Sequence, residues 1–557
     1  MFSNMKPAEK RLLEACQKGE VLDLGNERPK EKTDDNEIRG EFLRHLILSN
    51  NQEIEESGKK YILKIDPKGL TFKGAYITGI FDFSFCNTDL AFGFINSIFE
   101  NQIKLFNSRI KIINLHGCII PNIEAERVIC DSDLLFRNIE IDYINFANSK
   151  IGGSFISENS SYNNSNKSIN CNGSIIKGAV FLTNNFSSEG MIDFNSSNIG
   201  SLDCSNAKKI KYLNCNGAII NGTVFIINIS EIDIIDLSHT QIRGNIECTY
   251  SENNIFICDS SFVNSNIFFN NFYTALLNLG LTEINDMLRI KKLTIKSSCI
   301  LSSSRINQLW FEDVFWEKEF SGSIYLDGLE YNRLSGKNLD SKILINLLEK
   351  MPEFKTQPYR QLVKVLRNSE DNIYADDIMI KYNDIQASKN NFILRFLKKI
   401  YKITTGYGYR PKNMLYTLII VWFLCSLFYW NASKVAVFAH NNPLVFQKKD
   451  YYKCYVEENG TALADMFNWK KYNSTNNWID SKLEGEYTTF NPFMYSLDVI
   501  FPIVDLQVEK DWGQYVPSND WTLNDFTRWL MWFEILFGWG LGYILLSYYS
   551  GILSKRD

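Results

Sequence analysis

The sequence predicts a mainly β solenoid followed by a helical hairpin and a two-helix transmembrane domain. Three observations carry that expectation. From about Leu63 to Leu329, paired apolar residues recur every 10–12 positions. Near the C-terminus stand two apolar runs, Met414–Trp430 and Trp529–Leu553. Between the repeat and the first run, the apolar spacing changes to that of helices.

The repeat is clearest in INCNGSIIKGAVFL and IDFNSSNIGSLDCSNAKKIKYLNCNGAIINGTVFI. Ile169, Val180, Ile192, Leu202, Leu213 and Val224 are equivalent positions. Apolar residues within a step come in pairs two apart, such as Leu213 with Cys215 and Val224 with Ile226. A period of two is that of a strand, and the intervening Asn, Gly and Ser mark corners. Short strands meeting at regular corners stack into a solenoid. Two steps make a coil of about 22 residues, so residues about 22 apart stack at about 4.8 Å. One predicted column is Leu182, Cys204, Ile226 and Cys248. Another is Cys171, Phe194, Cys215, Leu237 and Cys258. Each cysteine alternates with Leu, Ile or Phe, so these thiols read as small core residues and not as converging metal ligands. His116 and His239 read as surface corners.

A solenoid needs covered ends. Residues 1–58 supply a helical cap, with Phe42, Leu46 and Ile47 on one face and Leu43 adjoining. The repeat domain is assigned to residues 59–335. Its aromatic-rich end, Arg305–Tyr331 with Trp310, Phe311, Phe315, Trp316 and Phe320, is expected to close the stack.

Residues 338–403 form a helical coupling region. Leu344, Leu347, Leu348 and Met351 suit a helix ending at Pro352. Tyr359, Leu362, Val363 and Leu366 share one face of the next helix, and Ala375, Ile378 and Tyr382 one face of a third, which predicts a helical hairpin. In NNFILRFLKKIYKI, Phe392, Phe396, Ile400 and Ile403 oppose Arg395, Lys398 and Lys402. That pattern fits an interfacial helix on the inner membrane surface or an ordinary packed helix. Gly406–Pro411, GYGYRP, breaks the helix.

Residues 404–557 are assigned as the membrane domain, with spans at about 414–430 and 529–553. Each run can cross a hydrocarbon core of about 30 Å. Arg395, Lys398, Lys399, Lys402, Arg410 and Lys412 precede the first span, and Lys555 and Arg556 follow the second. The positive-inside bias places both termini in the cytoplasm, at the cell inner membrane, and the loop 431–528 outside. MFSNMKPAEKRLLEACQKGE has no apolar h-region, so a cleavable signal is not expected. The chain has 12 cysteines and no C-x-x-C, and only Cys454 falls in the outer loop. Net charge is -5 without a strongly basic block in the soluble part, which argues against a nucleic-acid partner.

Near the end of the outer loop, Phe490–Gln507 (FNPFMYSLDVIFPIVDLQ) forms a re-entrant candidate, 490–507. Asn491-Pro492 can start a helix over Phe493–Phe501, too short to span, which Pro502 ends. Span, short helix, extended acidic segment, span: this order resembles the pore domain of two-span cation channels. The resemblance implies that Ile503, Val504, Asp505 and Leu506 are the filter strand, with Asp505 forming an acidic ring on assembly. The potassium filter T-V-G-Y-G is replaced by I-V-D-L, so potassium selectivity is not implied. In the second span, Gly538, Gly540 and Gly542 are candidate gating and packing positions, Gly538 and Gly542 forming a G-x-x-x-G. Glu534 is the only ionisable residue inside either run and reads as a snorkelling or a functional carboxylate.

Three motifs, Gln357–Leu362 (QPYRQL), Gly406–Pro411 and Pro492–Asp498 (PFMYSLD), carry a wider likeness from about residue 38 onward. Together they resemble bacterial membrane proteins related to pentapeptide-repeat solenoids. That resemblance implies a right-handed, pentapeptide-repeat-like β-helix in the cytoplasm and a two-span tail. Members often carry the label membrane-associated oxidoreductase.

The sequence lacks a Walker loop, H-E-x-x-H, G-x-S-x-G and a strand-linked G-x-G-x-x-G. No catalytic, cofactor-binding or metal residues are expected. The lead expectation is an oligomeric, ion-channel-like assembly gated or recruited through the solenoid. Its partners would be membrane lipid, copies of itself and a protein on the solenoid. The alternatives are a membrane-anchored interaction scaffold or sensor and, more distantly, an oxidoreductase.

Overall fold

A computed structural model of the chain describes residues 2–56, 59–312, 322–337, 339–434, 437–441, 488, 490–501, 505–514 and 525–550. It divides into two compact units, Met1–Ala375 and Asp376–Asp557.

The first unit is a β-solenoid of about twelve turns over residues 70–336. Among the described residues, 32 strands of that range join in one stack with two short strands from before it, Leu22–Asp23 and Glu37–Arg39. Successive coils pair in parallel: Val180 with Leu202, Leu202 with Val224, and Val224 with Ile246. A second ladder runs Ile169, Ile192, Leu213, Ile235 and Phe256. Ile226 pairs with Cys248 and Phe181 with Asp203, so Leu182, Cys204, Ile226 and Cys248 do form one buried column.

The corners explain the asparagine content. Asn148, Gly173, Ser196, Gly217, His239 and Ser260 occupy one column, all with positive φ between 54° and 67°. Each donates its backbone N–H to the next coil, as His239 does to the Asp259 carbonyl at 2.9 Å. Left-handed backbone costs most L-residues about 1–2 kcal/mol, and Gly and Asn bear it best. A second corner column includes Asn138, Asn159, Asn206 and Asn228. Their amides stack as well: Asn159 donates to Asn138 at 2.6 Å and Asn228 to Asn206 at 2.8 Å. His116 ends the strand Ile112–His116 beside the corner at Gly117.

Two helices close the N-terminal end, α1 (Pro7–Lys18) and α2 (Gly40–Leu48). Phe42, Leu43 and Leu46 of α2 are fully buried. Glu9, fully buried in α1, accepts from Arg39 at 2.7 and 2.8 Å and from the Lys6 N–H at 2.9 Å, which ties α1 to the start of α2.

The other end differs from the expectation. Arg305–Glu312 is a rung paired with Glu283–Ile300 and Glu330–Gly336, not a closing layer. Its alternating burial is that of a strand inside the stack. Phe315, Trp316 and Phe320 lie outside the described residues. Closure comes from α3 (Ser341–Glu349) and α4 (Thr356–Asn368). Leu344, Leu348 and Leu362 cover Leu326, Leu329 and Leu334 of the last coil. The Gln357 amide accepts from the Gly328 N–H (3.0 Å) and donates to the Leu329 carbonyl (2.9 Å), and Gln361 donates to the Tyr331 carbonyl (2.7 Å). Both glutamines of the QPYRQL motif therefore satisfy the open backbone edge of the last coil.

The unit boundary falls within α5 (Asn372–Ser388). The second unit continues with α6 (Phe392–Thr405), α7 (Pro411–Ser433), α8 (Pro492–Ile500) and α9 (Asp525–Tyr549). Phe438–His440 and Trp512–Gln514 form a small antiparallel pair. Among the described residues, two helices are long and apolar enough to cross a membrane, Pro411–Ser433 and Phe526–Tyr549. With Pro411 in its first turn, α7 starts before the apolar run and is 23 residues long, about 34 Å.

Candidate functional site

The three helices α7, α8 and α9 meet at a buried polar centre. The start of α8 is set by Asn491, whose side-chain oxygen accepts from the N–H groups of Phe493 (2.9 Å) and Met494 (3.3 Å). Pro492 follows in the first turn. Nine residues give about 13 Å of helix, too little to cross a bilayer. Trp422 of α7 donates its indole N–H to the Phe493 carbonyl at 3.1 Å. Tyr495, almost fully buried, packs edge-on against Tyr429 and Phe438, each 5.1 Å away.

Glu534 of α9 lies at the centre and is 0% exposed. The Tyr429 hydroxyl of α7 donates to one carboxyl oxygen at 2.9 Å, and the Ser496 hydroxyl of α8 hydrogen-bonds the other. One acidic group thus joins all three helices. Burying it without such partners would cost several kcal/mol. Glu534 is turned inward and does not reach a helix end.

Four residues along α9, Gly538 receives the end of α8. A Cβ on Gly538 would stand 2.0 Å from the Ile500 carbonyl oxygen. The two backbones meet where no side chain fits. Gly540 and Gly542 differ, since a Cβ on either would meet nothing within 4 Å.

After α8 the chain folds back. Asp498 accepts from the N–H groups of Leu506 (2.7 Å) and Glu509 (2.9 Å) and so clamps the returning segment onto α8. Burial, with Asp498 close by, pushes the Glu509 carboxyl above its usual range. Asp505 is exposed and paired with Lys510, which holds its carboxyl below the usual range. Leu506 is half-buried. Ile503 and Val504, the rest of the proposed filter strand, lie outside the described residues. Trp512, nearly buried, donates to the Thr488 carbonyl at 2.8 Å and begins the strand that pairs with Phe438–His440.

The GYGYRP junction has its own polar anchor on α5. Gly406 (φ 58°) caps α6, its N–H donating to the Lys402 carbonyl at 2.8 Å. Tyr407 donates to Asp384 at 3.0 Å, and Lys402 pairs with the same carboxylate. Burial, reinforced by Asp384, pushes the Tyr407 phenol up to about 12. Arg410 pairs with Asp377, and Tyr548 near the end of α9 hydrogen-bonds Asp376. Three aspartates of α5 therefore hold the end of α6 with its junction, the start of α7 and the end of α9.

Among the described residues, no group of three or more His, Cys, Asp and Glu could hold a metal. The eleven described cysteines are free and buried. Burial pushes thiols such as Cys118, Cys258 and Cys299 up to about 12, which keeps them protonated and poor ligands.

The sequence pointed to Glu534 and Gly538 but not to their partners. Tyr429, Ser496 and Asp498 complete the centre, and the last two lie within PFMYSLD. No protein-family model, curated protein or solved structure matches the chain.

Proposed function

We propose that this is a bacterial inner-membrane protein whose copies assemble into a cation-conducting, channel-like pore around α8 and the segment that returns from it. The observation that carries this reading is the contact of the Ile500 carbonyl with Gly538. Gly538 lies about 20 Å along α9 from its start at Asp525. With α9 crossing the bilayer, α8 ends near mid-depth, and the described chain between it and the four-residue helix Val508–Asp511, at Phe501 and Asp505–Gln507, is non-helical backbone. Such backbone is tolerated at that depth only where protein covers it or water fills a cavity. Copies around a shared axis supply both. The carbonyl end of α8 carries partial negative charge, which favours cations, and Asp505 adds a carboxylate to the lining where it parts from Lys510.

In this reading the solenoid is a right-handed, pentapeptide-repeat-like coil in the cytoplasm, with both termini on that side. The hairpin of α4 and α5 would couple it to the spans, and within the second unit Asp376, Asp377 and Asp384 anchor the end of α6, the start of α7 and the end of α9. The test is conductance of the purified full chain in planar bilayers, with Asp505→Ala and Asp505→Lys. Cation-selective current, with a reversal potential that shifts toward anions in Asp505→Lys, supports the pore. Silence, together with particle images showing single copies, leaves an anchored scaffold. Flavin or haem absorbance in the purified protein would turn attention to the oxidoreductase reading.

A further inference from the structure

The geometry points to α6 as a docking helix for an anionic lipid surface. At about 100° per residue its side chains separate into three arcs. One arc meets the protein toward the helix's end, where Thr405 is buried and the Tyr401 ring packs edge-on to Tyr407 at 5.8 Å, while Leu394 at its start is half-exposed. The second arc holds Phe392, Ile393, Phe396, Leu397, Ile400 and Ile403, which are 44–84% exposed. The third holds Arg395, Lys398, Lys399 and Lys402, and the helix contains no acidic residue. Lys402 is engaged by Asp384. Arg395, Lys398 and Lys399 have no acidic partner among the described residues.

Six large apolar side chains on one exposed helix face are not a solvated surface. Two observations identify what covers them. The face continues into α7: Thr417 donates to the Thr404 carbonyl at 3.0 Å, which pins the end of α6 beside α7, whose Leu415, Tyr416, Ile419 and Ile420 are themselves exposed. Whatever bathes α7 therefore also meets α6. The flanking charge is wholly positive, so the complementary surface is negative. A helix with this division lies at the boundary of headgroups and acyl chains, its cations on anionic headgroups. The inference rests on α7 as a span and does not depend on conduction. A silent protein whose α6 lies on lipid would sink the pore alone.

The test uses the full chain in lipid nanodiscs, with a nitroxide attached at Phe396→Cys, Ile400→Cys or Lys398→Cys. Collision with oxygen reports lipid, and collision with a nickel chelate reports water. The first two sites should favour oxygen and the third nickel. Oxygen access at position 396 should rise about twofold when phosphatidylglycerol is added to phosphatidylcholine. The combined Arg395→Gln, Lys398→Gln and Lys399→Gln chain should lose that rise. Nickel access at positions 396 and 400 would place the helix in water. Poor access to both reagents would mean protein cover, as from a second copy. Either result, or equal values in the two lipids, overturns the inference.

Discussion

Ile226 and Glu534 are both fully buried, yet they are held in different ways. Ile226 sits in a column of like residues, with Cys204 on one side and Cys248 on the other, and the arrangement recurs in coil after coil. Glu534 has one tyrosine and one serine, each present once. The solenoid is a sum of repeated nearest-neighbour contacts, so a fault in one coil stays local. The tail depends on single contacts between distant segments, so a fault there removes the whole arrangement.

Gly538 offers the hardest test of that contrast. Gly538→Leu places a side chain in the Ile500 carbonyl, and only displacement of α8 can relieve it. Overpacking of this kind costs about 3 kcal/mol or more. Thermal unfolding in detergent should show the tail transition lost or sharply lowered while the solenoid's far-UV signal persists. Gly542→Leu, in open space, should leave both unchanged. Equal damage from the two substitutions would remove the case for a specific contact between α8 and α9.

In the solenoid, Leu213→Ala should cost about 2–4 kcal/mol, as cavities in packed cores do. Hydrogen exchange should accelerate in the coils that pair with it, through Ile192 and Ile235, and remain slow near Ile306. Uniform acceleration would mean that the stack unfolds as one piece. Back in the tail, Glu534→Leu strands the Tyr429 hydroxyl, which costs about 1–3 kcal/mol if left unpaired, and leaves Ser496 only its 3.3 Å bond to the Trp422 carbonyl. Glu534→Gln keeps an acceptor and should cost clearly less by the same thermal assay.

The same contrast decides how much the sequence reveals. The column Leu182, Cys204, Ile226 and Cys248 is readable because its period is written many times. So are the Asn, Gly and Ser corners, whose residue types suit left-handed backbone. What ends the stack is not periodic. Gln357 and Gln361 are ordinary polar residues until the backbone edge they cover is known. Arg28 reaches the Gly117 carbonyl at 2.6 Å across 89 residues, with no local signal. In the tail, Glu534 stands out as a lone charge in an apolar run. Tyr429 lies 105 residues away and Ser496 38, and no spacing rule joins them. Gly538, Gly540 and Gly542 look alike in sequence, and only the position of Ile500 separates them.

A smaller effect is expected at the corners. Asn206→Ala should lose about 1–2 kcal/mol, the cost of left-handed backbone for an ordinary L-residue, together with its amide bond to Asn228. Asn206→Gly keeps the backbone and loses only the bond. Denaturant midpoints should therefore rank native, Gly, Ala, and an Ala variant as stable as Gly would show that the corner is not under that constraint.

The smallest expected effect is a pH dependence inside the solenoid. Glu312 accepts from Arg289 at 2.6 Å and Lys337 at 3.2 Å, with Lys291 at 3.5 Å, three cations around one carboxylate. Arg289 first, then Lys337, lowers its pKa from the usual 4.5 to about 2. A carboxyl depressed on folding contributes fully above its unfolded value and loses that contribution as pH falls through the folded one. The window is therefore about pH 4.5 down to 2. Other carboxylates titrate there too, so the informative quantity is the difference between native protein and Glu312→Gln. The native chain should destabilise more steeply with acid over that range, and the two curves should run parallel above it. Parallel curves throughout would show that the charges are screened by solvent and do not bind the rungs together. Such a result would leave the solenoid held by its apolar columns and backbone ladders, and would widen its difference from a tail organised around a single carboxyl.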